Sequence, residues 1–350
     1  MTAICAVEEV TAAWLTGVLR QSGALVEGQV VGFQALTGTS NWSSNARLQL
    51  SYSPQSSGPC PATVFLKLVQ TSQGGEDCFG DSEVRYYLED YVDWPRAPLL
   101  KCYDGAYEAG RYHLLLEDVS QTHQPSVHVP PTLEYGCALA RALAVLHVRW
   151  WFSRREIPMV TAAQVQRYVS VARPGLAHVL DDPDGVLDGR QAEVLRQFFL
   201  SHPHQMVERL KEPNGFALVH GDLNGFNILV PYEQGGPLYL IDRQPFEWSL
   251  TTWLGVGDLA FVLISDWSVE ARRSCEQEIL RAYHQALVEE GVEGYSWTQL
   301  WEDYRLCLPM GIYCAVEFCK HGVDEPMRAR WMSLLDRSLA VLEEDTAGAA

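Results

Sequence analysis

The stretch "LVHGDLNGFNILV", residues 218–230, decides the fold, because it places a polar cluster between two β-like apolar runs. Asparagine, aspartate and glycine are common turn residues, but a turn does not require His220 and Asp222 in front of them. Asn224 and Asn227 follow, so that an imidazole, a carboxylate and two amides are crowded into one short segment. This order of residues indicates a catalytic loop, and the alternative is an ordinary hairpin with polar turn residues.

Two short strands, 227–230 and 238–241, follow the loop and are joined by a glycine-containing turn. In an antiparallel hairpin, the start of the first strand lies beside the end of the second, so Asn227 and Asp242 are predicted to meet, with Asp222 at the same end. Two carboxylates and an amide oxygen at one point suit Mg²⁺, which prefers oxygen ligands. The set predicts phosphoryl transfer in which Asn227 and Asp242 hold the metal and Asp222 is the base.

The segments "HGDLNGFN", residues 220–227, and "LID", residues 240–242, resemble the aminoglycoside phosphotransferase and choline kinase family. These are small-molecule kinases with a protein-kinase-like fold, and their pattern is His-Gly-Asp, four residues, Asn, and a strand pair that ends in Ile-Asp. "GDLAFVL", residues 257–263, resembles the downstream family segment, in which Asp258 would open a helix near the active site. The resemblance implies ATP, with GTP as the alternative nucleotide, and Mg²⁺ as cofactors.

Two charged residues of the N-terminal half fit the same resemblance. "VFLKLV", residues 64–69, presents Lys67 in a strand that is otherwise free of charge, and Glu83 lies in the first turns of a helix predicted over residues 81–94. A lone lysine in such a strand loses hydration energy unless it is paired. The resemblance implies that Lys67 holds the nucleotide phosphates and that Glu83, which fits the family's E-x-x-F/Y-Y pattern, pairs with it. The alternatives are a surface lysine of an edge strand and a carboxylate favoured by the helix dipole.

Two further nucleotide contacts are implied by the resemblance. "LLLEDVS", residues 114–120, resembles the hinge strand between the lobes, where the backbone carbonyl of Glu117 would bind the adenine edge. "GTSNWSSNAR", residues 38–47, stands where kinases have their phosphate-covering loop, although it lacks the G-x-G-x-x-G pattern. Ser40 and its neighbours would donate hydroxyl groups there, and backbone amides could form an anion-binding nest.

The acceptor site is expected after the metal aspartate. Trp248 could line an acceptor pocket and Glu247 could hold a cationic group, although an apolar plug between helices explains this aromatic segment equally well. Glu317 lies in an otherwise apolar helical run and is a further candidate for the acceptor site. Arg243, where the family often has an aromatic residue, could contact phosphate, a substrate anion or a structural ion-pair partner.

Composition divides the chain into two parts. The first part, of roughly 120 residues, shows strand patterns and one principal helix, whereas helical patterns dominate the rest. We predict an α+β fold of the bilobal, protein-kinase-like kind. Residues 1–118 would form the nucleotide-binding lobe, with an N-terminal helix, and residues 119–350 the mainly helical catalytic and substrate-binding lobe.

The formal net charge of −18, from 26 basic and 44 acidic residues, argues against nucleic-acid binding. The acidic balance favours a cationic acceptor, although solubility explains it as well. The nine cysteines are scattered and form no C-x-x-C pair, which is typical of the reduced cytoplasm. No segment approaches the about 20 apolar residues that a membrane span requires, so no membrane partner is expected.

These features predict an ATP-dependent phosphotransferase that moves the γ-phosphoryl group to a hydroxyl of a small molecule. The family's range leaves an aminoglycoside, an amino alcohol, a sugar or another natural-product alcohol open as the acceptor. The rival hypothesis is a catalytically inactive pseudokinase that senses nucleotide or acts as a scaffold. The intact set of Asp222, Asn227 and Asp242 argues against this rival, because a scaffold has no need of all three.

Overall fold

The computed structural model describes residues 3–39, 43–73, 76–78, 80–151, 158–182, 187–322 and 331–348. Of the predicted site residues, Ser40 lies outside these ranges. The chain forms two compact units. The first comprises Met1–Pro95, Leu99–Gln124 and Leu229–Glu247, and the second comprises Arg96–Pro98, Pro125–Ile228 and Trp248–Ala350. The predicted lobe limits, 1–118 and 119–350, stay a prediction.

The described strands are β1 (Val30–Thr39), β2 (Ser43–Tyr52), β3 (Thr63–Gln70), β4 (Ser72–Gln73), β5 (Glu76–Asp77), β6 (Cys102–Glu108), β7 (Arg111–Glu117), β8 (His123–Pro125), β9 (Phe216–Leu218), β10 (Ile228–Pro231), β11 (Tyr239–Leu240) and β12 (Thr252–Leu254). The described α-helices are α1 (Ala12–Gln21), α2 (Ser82–Arg85), α3 (Leu133–Arg149), α4 (Ala162–Leu180), α5 (Gly189–Arg209), α6 (Val256–Ser265), α7 (Val269–Glu289), α8 (Trp297–Cys307), α9 (Gly311–Glu317) and α10 (Ser333–Gly348). Short 3₁₀ turns lie at Val7–Glu9, Ser126–His128 and Leu308–Met310. The predicted α+β class is therefore confirmed.

The first unit is organised by a five-stranded sheet in the order β1-β2-β3-β7-β6, and all neighbouring strands in it are antiparallel. Side chains of a strand point to alternate faces. Leu66 and Leu68 of β3 therefore join the core beneath α1, with Leu15 and Leu19 of that helix. Lys67 points to the opposite face. Val69, two positions further along and therefore on the same face as Lys67, belongs to the core that includes Val84 of α2. Strand periodicity thus directs the lysine towards α2.

The helix predicted over residues 81–94 is shorter than expected, and this prediction was wrong in extent. Regular α-helix covers only Ser82–Arg85, and a π-helical turn follows at Tyr86–Asp90. A π-turn brings residues five positions apart onto one face. The rings of Tyr86 and Tyr91 make such a contact, edge to face at 4.9 Å, and both rings are buried. Packing of these rings explains why the α-helical pattern stops.

The second unit is mainly helical and has close helix contacts at glycines. A β-carbon built at Gly136 in α3 would lie 2.3 Å from the Ile279 side chain of α7. One built at Gly175 in α4 would lie 1.7 Å from the backbone carbonyl oxygen of Val316 in α9. These contacts require residues without a side chain, and they let the helices pack closely.

Two features of the whole chain complete the description. None of the helices in the described ranges combines the length and the apolar composition that a membrane span requires. All nine cysteines are free thiols.

Candidate active site

Lys67 lies at the centre of a buried cluster of charges in the first unit. Its ammonium nitrogen is 2.8 Å and 2.7 Å from the two carboxylate oxygens of Glu83, and it also bonds to Oδ1 of Asp242. Glu83 is 1% exposed and Lys67 is 8% exposed. The side chain of Asp242 is 41% exposed and forms the solvent-facing end of the cluster. The predicted pairing of Lys67 with Glu83 is confirmed.

The charge of the Lys67 ammonium is maintained by its partners. Burial alone would lower the pKa of Lys67, but the carboxylates of Glu83 and Asp242 outweigh it and hold this pKa above the ordinary value for lysine. Lys67 therefore remains a cation. One ammonium faces two carboxylates, so the cluster lacks one positive charge.

Asp242 has an unusual backbone conformation, with φ at +62°. Only glycine adopts this left-handed region routinely, and for aspartate it costs about 1–2 kcal/mol. β11 ends just before this residue, and β11 and β10 are hydrogen-bonded neighbours in a three-stranded sheet with β8. Such strain persists only where the surroundings hold it in place, and it is concentrated at functional sites.

Two residues that the sequence analysis did not identify complete the surroundings of Glu83. The hydroxyl of Tyr112 donates to Oε2 of Glu83, and the amide nitrogen of Gln244 donates to the Tyr112 hydroxyl at 2.6 Å and to Oε2 at 3.3 Å. Burial, followed by the Glu83 charge, raises the pKa of Tyr112 well above its ordinary value, so this hydroxyl keeps its proton. The only signal in the sequence is that a polar residue follows Asp242 so closely.

Arg243 is 3% exposed, and its guanidinium lies 5.0 Å from the ring centre of Tyr86. Its charge also acts on Asp90: burial raises the pKa of this carboxyl, and the nearby arginine opposes that rise. Of the three roles left open for Arg243, this burial and stacking favour the structural one.

The loop of the second unit is held by internal hydrogen bonds. The Asn227 amide nitrogen donates to the backbone carbonyl of Asp222 at 2.7 Å and lies 3.4 Å from its carboxylate oxygen Oδ2. A carbonyl can only accept, so the nitrogen must face it and the amide oxygen of Asn227 points elsewhere. Asn227 is buried, whereas Asp222 is exposed. The loop thus combines an exposed carboxylate with an amide whose orientation is fixed; the roles of base and metal ligand stay predictions.

Asp258, in the first turn of α6, fixes the start of this loop. Its carboxylate accepts from the backbone nitrogens of His220 and Gly221, at 2.7 Å and 3.0 Å, and it is 3.1 Å from Nε2 of His147. Nδ1 of His147 is 2.9 Å from the Tyr283 hydroxyl. The antiparallel pairing of β9 with β12 brings α6 to the loop. The His147 side chain and the His220 backbone are therefore part of the hydrogen bonding that supports the loop.

The ionised state of Asp258 is strongly favoured. Burial would raise the pKa of this carboxyl, but the hydrogen bond from His147, the nearby histidines and the Gly221 amide outweigh burial and lower the pKa below its usual value. The backbone of the loop therefore donates to a carboxylate that is ionised at neutral pH.

The remaining predicted residues are distributed over both units. The backbone nitrogen of Glu117 donates to the carbonyl of Lys101 at 2.8 Å, so only its carbonyl would serve an adenine. Glu247 is exposed. Trp248 lies 6.0 Å from the ring of Tyr168. Glu317 is buried, and Lys320 donates to its carboxylate at 2.7 Å, so its charge is already compensated.

The donor atoms fit Mg²⁺ in kind. Asp242 offers a carboxylate with a solvent-facing end, and Asn227 offers an amide oxygen whose nitrogen is already bonded. In the part of the chain that the structure describes, no group of three or more His, Cys, Asp or Glu side chains could hold a metal ion. The predicted meeting of Asn227 with Asp242 joins residues of the two units and stays a prediction.

Comparison with solved structures identifies the fold. The choline kinase from Cryptosporidium parvum superposes with a TM-score of 0.55 over 95% of this chain and 94% of that chain, at 9% sequence identity. An aminoglycoside phosphotransferase from Alicyclobacillus acidocaldarius gives a TM-score of 0.51 over 90% and 92% of the two chains, at 12% identity. The protein therefore has the protein-kinase-like fold of small-molecule kinases, and at these identities the likeness shows the fold alone.

Sequence comparison adds one family. The family model described as "Uncharacterized oxidoreductase dhs-27" (DUF1679) matches residues 204–330, which is less than half of the chain. Among curated proteins, none matches this sequence.

Proposed function

We propose that this protein is an ATP-dependent phosphotransferase that moves the γ-phosphoryl group to a hydroxyl of a small molecule. The observation that carries the proposal is the buried cluster of Lys67, Glu83 and Asp242. A fold by itself does not define a reaction, but this cluster has a specific chemistry. A lysine held by a glutamate on the adjacent helix, beside a carboxylate in a strained backbone, is what binding of metal and nucleotide phosphates requires.

In this proposal the residues of the chain have separate roles. Lys67 holds the α- and β-phosphates, Ser40 donates its hydroxyl to the phosphates, and the Glu117 carbonyl accepts from the adenine edge. Asp222 orients the acceptor hydroxyl and takes its proton while the new P–O bond forms and the bond to the leaving ADP breaks. Asn227 and Asp242 would hold Mg²⁺, which supplies charge neutralisation at the phosphoryl group.

The acceptor is proposed to be a small alcohol with a cationic group. The formal net charge of −18 favours cations over anions near the protein. Trp248 contacts Tyr168, and Tyr168 contacts Tyr313, which lies one helical turn before Glu317. Tyr313 is buried, so in this proposal the partly exposed rings of Trp248 and Tyr168 would bind the carbon skeleton and the positive charge of the acceptor. Glu247, adjacent to Trp248 in sequence, adds an exposed carboxylate.

Nucleotide binding is tested by thermal stability with and without Mg·ATP, with Mg·GTP as the alternative nucleotide. Ligand at about 100 times its dissociation constant stabilises a protein by about 2.7 kcal/mol, a readable shift of the melting temperature. The shift should require Mg²⁺ and should be lost in Asp242→Asn. Asp188→Asn is the matched control, because this exposed residue caps α5 and asparagine caps equally well. No shift with either nucleotide would contradict the proposal and favour the scaffold hypothesis.

The enzyme and pseudokinase hypotheses are separated by Asp222→Asn. This variant should bind Mg·ATP as the wild type does, because the substitution leaves the first-unit cluster unchanged. ADP release with an active alcohol should fall by about 10²–10⁴-fold, the usual contribution of a general base. Undiminished turnover in Asp222→Asn would exclude this residue as the base.

The oxidoreductase description of the matched family raises dinucleotide binding as a second function. Gly255, Gly257 and Ala260 fit the pattern G-x-G-x-x-A, after β12 and at the start of α6. A dinucleotide fingerprint lies in a parallel βαβ unit. Here β12 pairs antiparallel with β9, and α6 leads into the helix α7. A β-carbon at Gly255 would lie 2.7 Å from the Tyr283 hydroxyl, so close packing accounts for this glycine. Nothing in this segment favours an oxidoreductase.

A further inference from the structure

The carboxylate of Glu83 has a full set of hydrogen-bond donors. Lys67 donates to both of its oxygens, Tyr112 donates to Oε2, and Gln244 donates to Oε2 at 3.3 Å. A carboxylate offers about four acceptor positions, so these donors satisfy it. Buried networks of this kind fix their members in one geometry when every member is satisfied. Glu83 is therefore held both by Lys67 and by two uncharged side chains, Tyr112 and Gln244, which are called the neutral pair below.

The neutral pair connects Glu83 to the chain segment that carries Asp242. Gln244 is two residues beyond Asp242 and is 9% exposed, and its amide nitrogen uses both protons inside the network, towards Tyr112 and Glu83. The Tyr112 hydroxyl accepts from Gln244 and donates to Glu83, so it relays the position of one to the other. Lys67, in turn, bonds to both Glu83 and Asp242. These hydrogen bonds, together with the backbone from Asp242 to Gln244, form a closed circuit.

We infer that Gln244 and Tyr112 are positioning residues, which hold Glu83, and through it Lys67, in register with Asp242 for the binding of nucleotide phosphates. The inference rests on the proposed function and adds two residues to it. Neither residue contacts phosphate in this scheme. Their effect is on the ammonium of Lys67: without the neutral pair, Glu83 gains freedom, and the ammonium loses the single position in which it meets a phosphate.

A merely structural role for the pair would have a different signature. Loss of a buried hydrogen bond lowers global stability and therefore the fraction of folded protein, but each folded molecule would still bind ligand with the original affinity. A positioning role leaves the number of binding sites unchanged and weakens binding of the phosphates. The adenosine part of the ligand does not involve Lys67, so the affinity for adenosine should be unaffected in either case.

The test is a calorimetric titration of the full chain with Mg·ATP and, separately, with adenosine. The variants are Tyr112→Phe, which removes the hydroxyl alone, Gln244→Met, which keeps the length but has no donor, and the double variant. Tyr52→Phe is the matched control, since the Tyr52 hydroxyl donates to the Pro61 carbonyl at 2.9 Å in the same unit, outside the network. Titration gives the dissociation constant and the number of sites in one experiment.

Each single variant should raise the dissociation constant for Mg·ATP about tenfold, the factor expected for one hydrogen bond to a charged group. The double variant should bind Mg·ATP about as tightly as the weaker-binding single variant, because both residues act through one carboxylate oxygen of Glu83. Adenosine affinity and the number of sites should not change, and Tyr52→Phe should match the wild type.

Three results would overturn the inference. A reduced number of sites with unchanged affinity in Tyr112→Phe and Gln244→Met would overturn the inference and assign the pair a structural role. Equal weakening of Mg·ATP and adenosine would overturn it as well. Wild-type protein that binds neither ligand would instead overturn the proposed function, and the inference with it.

Discussion

Lys67 uses all three of its ammonium donors on carboxylates, two on Glu83 and one on Asp242. A phosphate can reach this ammonium only if one of these partners is exchanged. Glu83 is fully buried and doubly bonded to the lysine, whereas Asp242 has a single bond and a solvent-facing side. We expect Lys67 to keep Glu83 and to exchange Asp242 when a nucleotide enters.

The contribution of the Lys67–Glu83 pair to the free energy of unfolding is tested by Lys67→Met. This change leaves the carboxylate of Glu83 buried without its cation, and breaking a buried pair in this way costs about 3–5 kcal/mol. Urea unfolding should show a loss of this size, and the double variant with Glu83→Gln should recover part of it because the buried charge is gone. Lys211→Met is the control: Lys211 pairs with Glu208 at the surface, and its loss should change stability by less than about 0.5 kcal/mol. Equal effects of the two lysine substitutions would contradict the buried role.

At this scale the sequence was sufficient for some residues and insufficient for others. Lys67 and Glu83 were predictable because a charge in an apolar strand must find a partner, and the next helix supplies one. Tyr112 and Gln244 were not predictable, because they are 132 positions apart and neither is unusual in its local sequence. A hydrogen bond between such residues is visible only once the fold has brought them together.

Asp258, in the first turn of α6, accepts hydrogen bonds from the backbone of the loop at His220 and Gly221. The contribution of this carboxylate to stability should depend on pH. The pKa of Asp258 is lower in the folded chain than the about 3.9 of an unfolded aspartate. Its contribution to stability is therefore present above about pH 4 and is lost as the pH falls through the folded-state value. Asp258→Asn should be less stable at neutral pH by about 1–3 kcal/mol, because an amide cannot accept all the bonds that Asp258 accepts.

Chemical unfolding at a series of pH values checks this prediction. The stability of wild type and Asp258→Asn should converge as the pH falls below about 4, since protonation removes what the substitution has already removed. A constant difference between Asp258→Asn and wild type at every pH would contradict the assigned charge.

Helix packing gives an element-scale prediction with a matched pair of glycines. Gly175 in α4 faces the backbone of α9, and an added β-carbon would lie 1.7 Å from a carbonyl oxygen that cannot rotate away. Gly17 in α1 has no atom within 4 Å of the same position. Alanine is favoured over glycine in a helix by about 1 kcal/mol, so Gly17→Ala should be neutral or stabilising. Gly175→Ala should destabilise by about 1–3 kcal/mol, the usual cost of overpacking. Thermal unfolding decides the matter, and similar shifts for both variants would contradict the close contact.

Elements were predictable to different degrees. The strand that carries Lys67 was predicted over residues 64–69 and spans Thr63–Gln70, because a short apolar run of this length is typical of a buried strand. The helix predicted over residues 81–94 was wrong in extent, because its apolar spacing fits an α-helix as well as an α-helix that opens into a π-turn. Contacts between the rings of Tyr86 and Tyr91 decide between them, and such contacts depend on tertiary packing.

At the scale of the whole molecule, buried tyrosines set the alkaline limit of stability. Burial is the first cause of a pKa well above the ordinary value in each member of one group: Tyr87, Tyr112, Tyr283, Tyr295 and Tyr304. These phenols keep their protons in the folded chain, whereas in the unfolded chain they titrate near about pH 10. Deprotonation of these tyrosines therefore stabilises the unfolded chain at a pH at which the folded chain still keeps them protonated. The free energy of unfolding should fall as the pH rises above about 10.

This fall has a competing cause, because the protein already carries a formal net charge of −18 and alkaline pH makes it more negative. Salt separates the two causes: it screens repulsion between surface charges, but it does not remove the penalty for burying a phenolate. Thermal unfolding between neutral and alkaline pH, at low and at high salt, should show a decline above about pH 10 that persists at high salt. The ultraviolet absorbance of tyrosinate should rise together with the loss of helical circular dichroism, since the buried phenols ionise only when the chain opens. If high salt abolished the decline, surface repulsion would be the cause and the buried tyrosines would not limit stability.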